Sequence, residues 1–151
     1  MTTIAYDHKN QTVSIDSRIT NMDMIVNDEH EKFTEYTTPD GSSGIMFFAG
    51  AVPDYPKLLD MYLGLIEPDE LDCCGISVED DSVVRLVLAT DRGIMNEVLT
   101  YNCAEGSGSK FALTAMDFGK TSAEAIEYTK SRDMYTGGLV RTFDVEGFDW
   151  I

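Results

Sequence analysis

Positive charge is scarce in this chain. Eleven lysines and arginines face twenty-seven aspartates and glutamates, leaving a formal charge of -16 over 151 residues. A surface that negative repels phosphate, so nucleic-acid binding by counterion release is disfavoured, as is adsorption to anionic lipid; mimicry of a nucleic acid stays compatible with it. Cysteine is equally sparse. Cys73, Cys74 and Cys103 cannot all pair, and no signal peptide precedes them, so a cytoplasmic, reducing location is expected. With His8 and His30 as the only histidines and no Cys-x-x-Cys spacing, neither a metal site nor another cofactor is expected. No apolar run approaches the roughly 20 residues of a membrane span. Four prolines and twelve glycines exclude collagen-like and low-complexity chains. What remains is ordinary globular composition at a length that suits one domain over residues 1–151.

Strand and helix signals alternate along the chain. Residues 2–6 and 12–15 read as a hairpin around a polar turn, and 17–31 as an irregular excursion. Residues 32–37 and 44–48 form a second strand pair across Thr38-Pro39-Asp40-Gly41-Ser42-Ser43. Pro53 and Pro56 open a helix whose apolar face carries Leu58, Leu59, Tyr62 and Leu65, and Pro68 closes it. Strands follow over 74–78, 82–89 and 95–102, the last two joined at Asp91-Arg92-Gly93. A helix with Phe111, Leu113, Thr114 and Met116 on its face runs to Asp117, with Gly119 as its stop. Thr121-Ser122-Ala123-Glu124 matches a capping box for a helix to about Arg132, and Leu139–Val145 alternates as a final strand. The order predicts an α+β fold, either a four-layer αββα sandwich of two packed sheets or a simpler one-sheet domain.

A threonine next to the initiator methionine has chemical interest, because removal of Met1 exposes Thr2 as nucleophile and base on one residue. An α-amine with a pKa of about 7.7–8.0 is partly neutral at cellular pH and can accept the hydroxyl proton. Other segments gain meaning beside it: Asp16-Ser17-Arg18-Ile19-Thr20, Lys32 sixteen residues after Asp16, Gly106-Ser107-Gly108-Ser109, and Asp133-Met134-Tyr135-Thr136-Gly137-Gly138. Singly each has an ordinary explanation. Lys32 between Glu31 and Glu35 reads as a solvated edge-strand lysine, Asp16 as a turn residue, and Asp133 as a surface acid near a helix end.

Together and in this order, the segments resemble the proteasome β-subunits and the bacterial HslV peptidase, N-terminal-nucleophile hydrolases of αββα architecture. The resemblance spans almost the whole chain. It implies Thr2 as the attacking group, Lys32 as the neighbouring cation, Asp16 as the carboxylate holding Lys32, and Gly50 as the oxyanion donor. Ser107, Asp133 and Thr136 match the polar triplet around the terminal amine, with Thr136 where the family usually has serine. Ile19, His30, Thr34, Phe48 and Val52 would line the pocket for the residue before the scissile bond, with Phe48 at its floor. The resemblance further implies a polypeptide substrate, a homo-oligomeric ring and an ATP-dependent unfoldase as partner. The stretch between the first helix and Cys74 has no room for the family's second long helix, so the fold is expected to be shortened there. Two other roles fit the same residues: a small-amide amidase using the same nucleophile, and a non-catalytic binding or assembly protein that retains Met1.

Overall fold

Alternating apolar residues drive the first hairpin. Ile4, Tyr6, Val13 and Ile15 point one way from β1 (Thr3–Asp7) and β2 (Thr12–Ile15), and all four are buried. The structure, a computed structural model, describes residues 2–151; the expected removal of Met1 therefore lies outside the described residues. After β2 come β3 (Ile19–Asn21), β4 (Met24–Asn27), β5 (Phe33–Thr37) and β6 (Ser43–Gly50). A 3-10 turn at Val52–Asp54 leads into helix α1 (Tyr55–Tyr62). Strands β7 (Cys73–Glu79), β8 (Val84–Thr90), β9 (Gly93–Val98) and β10 (Cys103–Gly106) precede α2 (Ser109–Asp117) and α3 (Ser122–Lys130), and β11 (Arg141–Asp144) and β12 (Asp149–Trp150) close the chain. None of these helices is long and apolar enough to cross a membrane.

The described residues form a mixed α/β structure with three sheets and three α-helices. One five-stranded sheet runs β10-β1-β2-β11-β12, the other β5-β6-β7-β8-β9, and β3-β4 stand apart as a pair. Every adjacent pair is antiparallel. Three apolar clusters bind the parts. Ile4, Tyr6, Val13 and Ile15 pack with Ile45, Phe47, Ile76 and Val78, joining the two large sheets. Met46, Phe48 and Val87, on the opposite face of the β5–β9 sheet, pack with Tyr55, Leu58 and Met61 of α1. Ala5 packs with Ala112, Ala115, Met116, Ala125 and Ile126 of α2 and α3.

Local chemistry decides several ends. Thr121 accepts from the Glu124 N–H and the Glu124 side chain accepts from the Thr121 N–H, so both halves of the capping box form. Helix α1 stops at Tyr62, ahead of Gly64 at φ +75°, which leaves Leu65 off the helix and exposed instead of on its apolar face. Phe111 likewise turns toward solvent, because α2 lies close to its sheet through Ala112 and Ala115. The segment 17–31, expected to be irregular, holds the β3–β4 hairpin. Its side chains at Met24–Asn27 are all exposed, so pairing and not burial makes it a strand. The strand expected over 95–102 is Gly93–Val98, and β12 follows β11 without having been expected.

Candidate active site

The start of β1 is held between two polar clusters. Its carboxylate neighbour is Asp16, fully buried just beyond β2, where both oxygens are engaged. Oδ1 accepts the Lys32 ammonium at 2.7 Å and the Thr3 N–H at 3.1 Å; Oδ2 accepts the Gly137 N–H at 2.9 Å and the Arg18 N–H at 3.4 Å. Lys32 also donates to the Arg18 carbonyl at 2.9 Å. The two side chains of this ion pair have no solvent exposure. Lys32 is therefore no solvated edge lysine. Burial pulls its pKa below the ordinary lysine value, and the Asp16 charge opposes that fall.

The second cluster sits where β10 gives way to α2 and where α3 ends. Asp133, buried and not a surface acid, accepts at one oxygen from Ser107 Oγ and from Thr136 Oγ1, both at 2.6 Å. Thr136 Oγ1 lies 2.7 Å from Thr3 Oγ1, which in turn accepts the Gly108 N–H at 3.2 Å. The Ser107 N–H donates to the Thr2 carbonyl at 2.9 Å. This approach needs glycines on both sides of Ser107. Gly106 has φ +100°, and a Cβ there would overlap the Thr2 carbonyl oxygen; one at Gly108 would overlap Thr3 Oγ1 and Thr129.

Thr2 itself is buried, and its Oγ1 has no hydrogen-bond partner among the described residues. A buried hydroxyl without a partner is uncommon. The nearby Tyr55 phenol donates to the Gly50 carbonyl at 3.3 Å, and its ring stacks on Phe48 at 4.8 Å and 12°. Burial pushes the Tyr55 pKa up to about 12, opposed by the Thr2 hydroxyl, which lies near the phenol without making a well-formed hydrogen bond to it. Gly50 has φ +116°, and a Cβ there would overlap the Asp72 carbonyl.

The geometry thus brings Asp16, Lys32, Ser107, Asp133 and Thr136 around Thr2 and Thr3, with Gly50 reached through Tyr55. The five residues expected to line a pocket come from separate segments of the chain. Ile19 opens β3, and His30 is half-buried, its N–H on the Ser17 carbonyl. Thr34 is exposed on β5, Val52 opens the 3-10 turn, and Phe48 is sealed beneath Tyr55. The sequence reading missed Thr3, Tyr55 and the Arg18 carbonyl. Thr3 was within reach of it, because alternation along β1 sends its side chain to the face opposite Ile4.

No family model matches the sequence, and no curated protein matches it. Among solved structures the chain is similar to Thiobacillus denitrificans BPH in complex with epoxomicin, at 14% identity over 93% of this chain and 96% of that one, with a TM-score of 0.67. At that identity the likeness is one of fold.

Proposed function

We propose that this chain is a proteasome-like threonine peptidase with the four-layer αββα arrangement of the N-terminal-nucleophile hydrolases. The observation that carries the reading is a single carboxylate oxygen, Asp16 Oδ1, shared by a fully buried ammonium and the Thr3 N–H. That atom ties the cation to the residue next to Thr2. A fold shared with a protein captured with epoxomicin supports the same reading.

With Met1 removed, the Thr2 amine, neutral in part near pH 8, takes the hydroxyl proton through water, and Oγ1 attacks a peptide carbonyl. The Gly50 N–H and the Lys32 ammonium stabilise the developing oxyanion. The amine returns the proton to the leaving nitrogen, and an ester to Thr2 remains. Water, deprotonated by the same amine, hydrolyses that ester. Ser107, Asp133 and Thr136 orient the amine. Ile19, His30, Thr34, Phe48 and Val52 belong to this reading as an apolar specificity pocket, and a homo-oligomeric ring fed by an ATP-dependent unfoldase as its setting.

Intact mass and peptide hydrolysis test the proposal together. The active protein is expected to lack one methionine. Thr2→Ala is expected to keep its circular dichroism and lose cleavage of fluorogenic peptides. A full-length mass in an active sample, or substantial cleavage by Thr2→Ala, overturns it.

A further inference from the structure

Strand β9 is one edge of the β5–β9 sheet. It pairs with β8 alone, in unbroken register from Arg85↔Val98 to Thr90↔Gly93. Edge strands are ordinarily blunted by proline, lysine, a bulge or shortness, because their free N–H and C=O groups template further pairing. β9, Gly-Ile-Met-Asn-Glu-Val, has six residues, no proline, lysine or bulge, and a single charge at Glu97. The edges of the other large sheet are shorter: β10 has four residues and β12 two. At the opposite edge of its own sheet, β5 exposes only polar side chains, Thr34, Glu35 and Thr37, whereas β9 exposes the apolar Met95 (43%) and Val98 (50%) beside Asn96 and Glu97.

The strand is also complementary to itself. Residues opposite one another in an antiparallel ladder share a face, so Ile94, Asn96 and Val98 line the α1 side, where Ile94 packs beside Val87 and Ala89; Met95 and Glu97 line the other. A two-fold axis perpendicular to the sheet must centre on one residue. Centred on Asn96, it opposes Ile94 to Val98, Met95 to Glu97, and the Asn96 amide to its own copy. Centred on Glu97, it sets two carboxylates face to face; centred on Met95, it leaves Val98 unpaired. Like charges directly opposite are destabilising, which matters in a chain of charge -16. The single acid of β9, Glu97, already accepts the Tyr101 hydroxyl at 2.6 Å.

We infer that two copies of this chain associate through β9, antiparallel and in register about Asn96, extending the β5–β9 sheet into one continuous sheet of two halves. This contact does not depend on the peptidase reading. It makes a two-fold pair, not the head-to-tail contact that closes a ring.

Single-cysteine substitution reads out the register. Opposed residues have Cα atoms about 4.5–5.5 Å apart, within disulfide range, while residues two positions from the axis lie about 14 Å from their own copies. Under mild oxidation Asn96→Cys is expected to give about tenfold more disulfide-linked dimer than Val98→Cys or the wild type. Ile94→Cys/Val98→Cys together should restore the link. In sedimentation velocity, Met95→Glu, which sets like charges opposite each other at Glu97 of the second copy, is expected to run at half the mass of the wild-type protein, with unfolding unchanged. The inference is overturned if Asn96→Cys cross-links no better than Val98→Cys, or if Met95→Glu leaves the sedimenting mass as it was.

Discussion

The two large sheets are finished to different degrees. The β10-β1-β2-β11-β12 sheet has α2 and α3 against it and seats Asp16 and the turn that carries Ser107, with each carboxylate oxygen of Asp16 occupied. The β5–β9 sheet supplies Gly50 and, just ahead of β5, Lys32, yet it has one eight-residue helix on its outer face and a bare strand at its edge. The first is organised by polar contacts with single solutions, the second by apolar contacts that stop short of the rim. The chemistry gathers where the more specified sheet meets the less specified one.

Removing charge from the first sheet should have the largest effect. Asp16→Ala strands the buried Lys32 ammonium, and loss of one partner of a buried pair costs about 3–5 kcal/mol. Urea unfolding is expected to show that loss, and a value within 1 kcal/mol of wild type on the order expected for surface sites would end the contrast between the sheets. Next comes the apolar anchor of the second sheet. Leu58 of α1, fully buried against the sheet, should cost about 2–5 kcal/mol as Leu58→Ala, because the sheet can collapse only partly into the space.

The smallest effect has a pH signature. Glu105 of β10 has a pKa raised by burial, with the Cys74 thiol pulling it down. A folded value above the unfolded one means that ionisation disfavours the fold. The penalty is absent below the ordinary carboxylate pKa of about 4.3, grows as pH rises through it, and is complete above the raised value. Glu105→Gln should therefore stabilise the protein at pH 7 and lose that advantage near pH 4, as thermal unfolding across pH would read.

What could be read from the sequence was what depends on neighbours in the chain. The Thr121–Glu124 capping box, the Pro53–Pro56 helix entry and the Asp91–Gly93 turn are local, and each formed. The β3–β4 hairpin escaped because its exposed side chains give no alternation of burial to detect. Lys32 on its own argues for solvent, because acids flank it; only the resemblance, which pairs it with Asp16 sixteen residues away, pointed to the buried ion pair. Phe111 misled for the opposite reason. Bulk suggested the inward face, but a helix that packs close to a sheet presents its alanines.

The fourfold grip on Asp16 carries one more meaning. All the groups that reach its two oxygens offer hydrogens, so asparagine, the same size and nearly the same shape, would set an amide NH2 against donors, whichever way it flipped. Glutamate would carry the same charge one methylene too far. The position tolerates neither isostere nor homologue, a sharper restriction than either its size or its charge alone would impose.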